Sequence, residues 1–453
     1  MPSRLAALSR HPLSLAGIVL ATVAGAVFLA LAIASFAGLL RNPYAGLVVF
    51  IGLPAAVLAG LAMIAVGARL ERRRAAARPE GAPEWPVLDF GVRRVRRTVL
   101  AILALSVVNI AILLVAGYGA LHWMESPQFC GQVCHTPMHP QFTAWSASSH
   151  AEVACVSCHI GEGADDFIHA KLAGVRQLWH VATDSYPRPV PAVAPGLPAA
   201  GETCATCHAV NRNRGIVVRT LHEFAEDETN TETKTTLHLM VGGPGQPTQT
   251  GRAIHWHTDP RVRVEYVAGD ADRQTIPYVR ATDSTGITRE YVAEGADAAS
   301  FAASEPRMMD CADCHNAVGH PIAPTVERAV NAAIADGRLD RSIPFIRREA
   351  VRTLGTEYAS QVAAEDAIAR ELREFYRSSG TAVDDAALGR AVDALRAVYR
   401  HNVFPAMKVT WGTYPVNLGH VTSNGCFRCH DGRTSPDGRE ISADCEFCHI
   451  QVE

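Results

Sequence analysis

The twelve cysteines of this chain constrain its structure more than any other feature, because they form six closely spaced pairs that are each followed directly by a histidine. In c-type haem attachment, both thiols of such a pair bond to the porphyrin and the adjacent histidine ligates the iron. No cysteine is left over, so the sequence predicts six covalently bound c-type haems. The six sites are Cys130/Cys134 with His135, Cys155/Cys158 with His159, Cys204/Cys207 with His208, Cys311/Cys314 with His315, Cys426/Cys429 with His430, and Cys445/Cys448 with His449.

Structural zinc and disulfides are the alternative uses of paired cysteines. Both leave the histidines unexplained, because only 19 of the 453 residues are histidine and yet one follows every pair. The first pair departs from the common spacing, with three residues between Cys130 and Cys134 instead of two. For this pair, a dithiol or a disulfide remains the alternative to a haem.

Three long apolar runs lie in the first part of the chain, at Leu13 to Leu40, Tyr44 to Ala68 and Thr98 to Leu121. Each is long enough to cross a hydrocarbon core of about 30 Å, so residues 1–123 are predicted to be a membrane anchor of three transmembrane helices. A cleaved signal peptide is the alternative for the first run, but about 28 apolar residues exceed the usual length of such a segment.

Arginines cluster between the second and third runs and predict that this loop lies in the cytoplasm. The third run would then carry the chain across the membrane and place everything after Leu121 on the opposite face, in a bacterial periplasm. The net charge of −3 and the short clusters argue against a nucleic-acid partner. The arginines are Arg69, Arg72, Arg73, Arg74 and Arg78, followed by Arg93, Arg94, Arg96 and Arg97.

The remainder divides into three predicted parts: a three-haem module at 124–210, a β-rich insert supplying haem ligands at 211–310, and a part at 311–453 with the fourth haem, a helical spacer and a C-terminal two-haem module. The predicted fold is therefore a mixed one, with three transmembrane helices followed by a haem-threaded multihaem cytochrome c domain. Strands are predicted at 235–241, 261–268, 275–282 and 288–292. Helices are predicted at 324–334, 346–354, 360–378 and 384–399, the last capped by Asp384.

The second axial ligand of each iron must come from elsewhere in the chain. Histidine on both faces produces a six-coordinate iron suited to electron transfer, whereas an open face would indicate catalysis on a small molecule. An isolated histidine is more often a surface residue, and a methionine more often fills a core. The candidate ligands are Met138, His150, His222, His255, His257, His320 and His420.

An apolar anchor followed by Cys130-Gly-Gln-Val-Cys-His-Thr-Pro-Met138, then Ser149-His150 and Cys155-Val-Ser-Cys-His-Ile-Gly161, resembles the NapC/NirT family of membrane-anchored multihaem cytochromes. The resemblance covers residues 100 to 210. The C-terminal haem pair and the stretch from Thr413 to His420 indicate a larger, six-haem branch of that family.

The resemblance implies quinol oxidation at the membrane, with electrons passed from haem to haem. It places Lys171 near the family's quinol-pocket lysine and Met138 near its first-haem methionine. Asp165 and Asp166 are the nearby carboxylates that could take protons from a quinol. An amphipathic surface helix is the alternative reading of these residues.

The sequence thus predicts a membrane-anchored hexahaem cytochrome whose partners are the membrane quinone pool and periplasmic or outer-membrane redox proteins. One alternative is an electron-transfer subunit of a larger respiratory or photosynthetic complex that never contacts quinone. A second alternative is a multihaem reductase with an open haem, acting on nitrite, hydroxylamine or a metal. The Cys-x-x-Cys-Lys arrangement of one such reductase family does not occur in the sequence.

Overall fold

A computed structural model describes most of the chain and divides it into two compact units, Met1–Val133 and Cys134–Glu453. The described residues are 11–36, 48–76, 91–161, 163–193, 197–208, 215–242, 253–297 and 304–452. Arg78, the end of the first predicted run and the start of the second lie outside them.

The first unit contains the three predicted apolar helices: α1 (Pro12–Phe36), α2 (Leu53–Ala76) and α3 (Arg93–Met124). A turn of π-helix, Val48–Gly52, leads directly into α2. Spans that are long and apolar enough to cross a membrane occur at Pro12–Ala34, Val48–Glu71 and Val107–Met124. The prediction of three membrane-capable helices is confirmed.

Small residues allow α1 and α2 to pack closely as an antiparallel pair. A Cβ atom added at Gly17 would lie 2.5 Å from the carbonyl oxygen of Gly60, and one added at Gly67 would lie 2.3 Å from the hydroxyl of Ser14. Such stripes of small residues are typical of helices that associate within a membrane, where close backbone approach replaces the hydrophobic effect. An antiparallel pair returns the chain to the side of the membrane from which it started.

The second unit begins with four helices that surround the second and third cysteine motifs. They are α4 (His135–Ser146), α5 (Cys155–His159), α6 (Ala164–Ala182) and α7 (Ala200–Ala205). Neither α5 nor α7 contains a buried residue. These short helices therefore lack an apolar core of their own.

Two antiparallel sheets follow. The first has the order β1 (Ile216–Phe224), β2 (Glu232–Met240) and β7 (His449–Val452), so that the C-terminal strand pairs with a strand about two hundred residues earlier. The second has the order β5 (Thr288–Val292), β4 (Tyr278–Thr282), β3 (Arg263–Val267) and β6 (Arg307–Met308). A tight turn joins β4 to β5, where the amide of Gly286 donates to the carbonyl of Asp283.

The predicted helical spacer is a bundle of α8 (Val326–Ala335), α9 (Ile346–Leu354), α10 (Gln361–Ser379) and α11 (Asp385–Asn402). Apolar side chains at helical spacing form one continuous core, in which Ile346, Leu354, Ile368, Leu372 and Leu395 are completely buried. Asp384 caps α11 as predicted, because its carboxylate accepts from the amide of Ala387.

Candidate haem sites and their histidine pairs

Each of the last five cysteine motifs lies on a short helical turn that places its histidine next to its first cysteine. The amides of His208, His315 and His430 donate to the carbonyls of Cys204, Cys311 and Cys426, over 2.7, 2.8 and 3.1 Å. Residues four apart lie on the same face of a helical turn. The local fold therefore brings the first thiol and the imidazole to one side.

Five motif histidines are each paired with a histidine from a distant part of the chain. The ring centroids are 5.8 to 6.4 Å apart in every pair. The pairs are His159 with His320, His208 with His150, His315 with His255, His430 with His257, and His449 with His420.

This spacing matches two imidazoles on opposite faces of one metal ion. With metal–nitrogen bonds of about 2.0 to 2.1 Å, such ligands hold their ring centroids about 6 Å apart. Within the described residues, no group of three or more histidine, cysteine or acidic side chains could hold a metal ion by itself. Two protein ligands suffice for haem iron, because the porphyrin nitrogens supply the others. The residues present therefore fit haem.

Backbone carbonyls orient several of these imidazoles. Nδ1 of His320 lies 2.9 Å from the carbonyl oxygen of Gln141, Nδ1 of His257 lies 2.8 Å from that of Ile254, and Nδ1 of His430 lies 2.9 Å from that of Ser442. Since a carbonyl oxygen only accepts, Nδ1 must carry the proton, and Nε2 is left with a lone pair to bind a metal. The same arrangement is typical of metal-ligating histidines.

Burial also favours the ligating form of these side chains. It lowers the pKa of His159, with a further decrease from the charge of His320, and it lowers the pKa of His320 and of His257. An imidazole must be neutral to bind a metal. The lowered pKa favours the neutral, ligating form of His159, His320 and His257.

The thiols of successive motifs lie close to one another. Burial raises the pKa of Cys204 to about 11, and the next largest cause is the charge of Cys311 in the following motif. Burial likewise raises the pKa of Cys314 to about 12, with a further increase from Cys426. The charge of Cys207 likewise contributes to a raised pKa of Cys158, and the charge of Cys426 contributes to a raised pKa of Cys448. The second to sixth motifs are thus neighbours in the order in which they occur along the chain.

The first motif spans the boundary between the two units, with Cys130 in the π-helical turn Phe129–Val133 and Cys134 directly before α4. The side chain of His135 lies outside the described part of the structure. Met138 is half-buried one helical turn further on, and its amide donates to the carbonyl of Cys134 over 3.1 Å. Haem binding at this site and ligation by Met138 stay predictions of the motif.

His222 has a different partner from the other candidate ligands. Its Nδ1 lies 2.7 Å from a carboxylate oxygen of Glu232 on the adjacent strand, and that carboxylate also binds Arg341 over 2.9 Å. Among the described residues, the structure shows no ring contact between His222 and a motif histidine. Its role as a ligand stays a prediction.

His255 and His257 lie on a turn of 3-10 helix, Ile254–Thr258, and not on a strand. On a strand, residues two apart would face the same side. The tighter helical turn directs the two imidazoles to different motif histidines, His315 and His430. One segment of the insert therefore reaches two neighbouring sites.

The three candidate quinol residues all lie on α6. Asp165 and Asp166 occupy its first turn, where a carboxylate oxygen of Asp166 accepts from the amide of Gly163 over 3.3 Å. Nζ of Lys171 lies 4.8 Å from the ring centroid of Phe167. The structure places these residues in the first half of one helix, and their role in quinol oxidation stays a prediction from the resemblance.

A stripe of large apolar side chains runs along the exposed face of α6. Its members recur at helical spacing and are 54 to 67% exposed: Ile168, Leu172, Val175 and Trp179. The opposite face of the helix carries small residues, among them Ala170, Ala173 and Gly174. Surface helices normally show the reverse pattern, so the outer face of α6 is suited to an apolar environment.

Comparisons with known proteins show which proteins this chain is similar to. The model of the N-terminal region of the NapC/NirT cytochrome c family matches residues 93–189. The chain is 36% identical over 450 residues to cytochrome c-type protein ImcH of Geobacter sulfurreducens, covering 98% of this chain and 88% of that protein. It is also 32% identical over 96 residues to cytochrome c-type protein NrfH of Wolinella succinogenes, covering 20% of this chain and 52% of that one. No solved structure matches the chain.

The resemblance noted in the cysteine motifs thus extends over nearly the whole length of a cytochrome relative. Three findings lead to one conclusion: the apolar N-terminal helices of this chain, its Cys-x-x-Cys-His segments and these similarities. The chain belongs to the NapC/NirT family of membrane-anchored multihaem c-type cytochromes, which act in electron transfer.

Proposed function

We propose that the protein is a hexahaem member of this family that oxidises quinol and transfers the electrons to periplasmic or outer-membrane acceptors. The observation that carries the proposal is the set of five histidine pairs, distributed over motifs that neighbour one another in chain order. A row of closely spaced one-electron centres is suited to conducting electrons over a distance.

The histidine pairs suggest a ligand for each of five irons. His320 would ligate the iron at His159, His150 that at His208, His255 that at His315, His257 that at His430, and His420 that at His449. Met138 is the proposed second ligand at the first site. His222 remains a candidate through its Nε2, because a carboxylate bound to Nδ1 is also common among ligating histidines. When bound, the haems supply low-spin centres that each accept one electron.

The arrangement of the first unit supports a location in the bacterial inner membrane. If α1 and α2 cross as an antiparallel pair, the arginines that follow α2 and those that begin α3 lie on the side where the chain starts. Arginine-rich short loops are retained in the cytoplasm. The third span would then deliver the cysteine motifs to the periplasm, which permits covalent haem attachment.

The proposed quinol site is the first half of α6, which carries Lys171, Asp165 and Asp166. A quinol has an apolar ring and tail with two hydroxyl groups, and α6 combines an exposed apolar stripe with a cation and two carboxylates. Oxidation releases two protons and two electrons from each quinol. Lys171 would donate a hydrogen bond to a quinol oxygen, and the carboxylates would accept the two protons.

The same observations weigh on the two alternatives. A reductase needs an iron with one open face, and in five sites both faces have an imidazole within reach. A partner-fed subunit has no need of an outward apolar stripe beside a lysine and two carboxylates. We therefore place quinol oxidation first.

The decisive experiment uses the full-length protein with its haems, purified in detergent, oxidised and kept anaerobic. Addition of a menaquinol analogue is expected to reduce the haems rapidly, followed by their absorption bands, and a quinol-site inhibitor should prevent this. Lys171→Gln should slow the reaction by roughly tenfold or more. Reduction of the same variant by dithionite should be unchanged.

Lys408→Gln is the matched control, because Lys408 is an exposed lysine far along the chain from α6. It should reduce with quinol at the rate of the unmodified protein. If quinol leaves the haems oxidised while dithionite reduces them, quinol oxidation is wrong and the partner-fed subunit replaces it.

A further inference from the structure

A buried ionic cluster joins the fourth and fifth cysteine motifs. Asp313 lies between the thiols of Cys311 and Cys314, and Arg428 lies between those of Cys426 and Cys429. Their exposed fractions are only 2% and 7%. Charged residues are rarely this buried, and here both are within motifs that sit beside each other in space.

Arg428 is held almost entirely by carbonyl oxygens. Its Nη2 donates to the carbonyl of Asp313 over 2.6 Å, its Nη1 to that of Arg273 over 2.9 Å, and its Nε to that of Gly425 over 2.8 Å. These partners satisfy its donors without cancelling its charge. A full positive charge is therefore fixed beside the fifth motif.

Asp313 has a contrasting environment. One carboxylate oxygen accepts from the hydroxyl of Tyr266 over 2.5 Å and from Nη1 of Arg273 over 3.3 Å, and the other accepts from the amide of Asp310 over 2.8 Å. Burial and the charge of Asp313 both raise the pKa of Tyr266, which stays neutral and donates. Nε of Arg307 lies 3.5 Å from the first of these oxygens, so the carboxylate is held beside the fourth motif between two guanidinium groups.

The cluster is also rigid. The amide group of Asn417 donates to the carbonyl of Asp313 over 3.1 Å, and Nη2 of Arg433 donates to the carbonyl of Arg428 over 3.0 Å. Fixed charges in a dry interior act on a neighbouring redox centre far more strongly than charges in water. A cation disfavours the ferric state and raises the reduction potential, whereas a carboxylate lowers it.

We propose that Arg428 and Asp313 set the relative reduction potentials of the fifth and fourth haems, so that electrons are favoured to move towards the C-terminal pair. The proposal rests on haem loading under the proposed function, but it requires neither quinol oxidation nor a particular acceptor. Arg428 and Asp313 are positioning residues in this account. They act through their charge and ligate nothing.

The test is a potentiometric titration of the full-length holoprotein, followed by haem absorption and by electron paramagnetic resonance. Arg428→Met should move one haem to a lower potential, changing its reduced-to-oxidised ratio at a fixed potential by about tenfold, which is about 59 mV for a one-electron centre. Asp313→Asn should move one haem in the opposite direction. The other haems should be affected much less.

Arg428→Lys separates charge from hydrogen bonding, because it keeps the cation and loses the fork of donors. Its potentials should stay near those of the unmodified protein. Arg439→Met is the control, since it removes an exposed arginine that lies nine residues after His430 and ten before His449 and should shift nothing.

If Arg428→Lys shifts the potentials as Arg428→Met does, or if Asp313→Asn lowers a potential, the charge-based proposal is wrong. Should Arg428→Met fail to load its haems, the sign of the shift in Asp313→Asn still decides. Unshifted potentials in a fully loaded Asp313→Asn protein would overturn the proposal. Loss of quinol reactivity with these shifts intact would instead contradict only the proposed electron donor.

Discussion

The helical bundle α8–α11 and the segment that carries the second and third motifs are parts of one unit, yet they are built in different ways. Five large residues of the bundle core are completely buried, whereas α5 and α7 bury none of their side chains. Burial of apolar surface is the main favourable contribution to folding. The bundle therefore supplies its own core, and we expect the motif segment to obtain its apolar surface from haems.

The contrast extends to the helix ends. In the bundle, Thr325, Ser360 and Asp384 cap their helices with side-chain oxygens. Neither α5 nor α7 has such a side-chain cap. Helices of five and six residues without caps or a core are too short to be stable alone in water.

The largest expected effect comes from removing a haem of the motif segment. Replacing both Cys204 and Cys207 with alanine should eliminate one haem and leave the surrounding chain without its core. Intact mass should fall by one haem, and limited proteolysis should cut between Cys155 and His208 first. Native-like resistance of that segment without the haem would show that its polypeptide folds by itself.

A smaller effect is expected from a cavity in the bundle. Leu372→Ala removes a completely buried side chain and should cost about 2 to 5 kcal/mol of local stability. Amide hydrogen exchange in α9–α11 should become faster, while the haem absorption spectrum stays the same. Val362→Ala, at a position 74% exposed on α10, is the matched control and should leave exchange unchanged. A changed haem spectrum in Leu372→Ala would mean that the two regions do not fold independently.

The smallest structural effect is expected from the loss of one ligand. His257→Ala should convert one low-spin iron to a high-spin one, because the imidazole paired with His430 is removed. The attached haem should remain, since both thioethers persist. Electron paramagnetic resonance of the oxidised protein measures this directly. His401→Ala is the control, because it removes an exposed histidine that hydrogen-bonds within its own helix. The iron that becomes high spin in His257→Ala should stay low spin in this variant.

Much of the architecture could be predicted from local patterns. The four bundle helices agree closely with their predicted bounds, because apolar residues at helical spacing determine which face must be buried. The three apolar helices overlap their predicted runs, although α2 continues to Ala76 and α3 begins at Arg93. Strand β1 was missed, since Arg219, His222 and Glu223 interrupt its apolar run. It forms by pairing along its full length with β2, and no single-strand pattern records such pairing.

At the candidate sites, the sequence pattern indicated which residues could bind haem. It did not indicate which distant residues lie beside them. Asp313 and Arg428 were missed as a cluster, although a charged residue between two haem-binding cysteines was visible in the sequence of each motif. Their significance depends on burial and on the closeness of two motifs more than a hundred residues apart. Neither property follows from composition or spacing.

The sequence by itself determined which runs can cross a membrane and which family the motifs resemble, and it predicts where haems attach, because each depends on residues close together in the chain. Only the tertiary structure decided which distant histidine faces which motif histidine, as in the pairing of His159 with His320. Such pairs form where separate segments pack against each other. The energy that selects them lies in packing and burial across the whole unit and not in any local pattern.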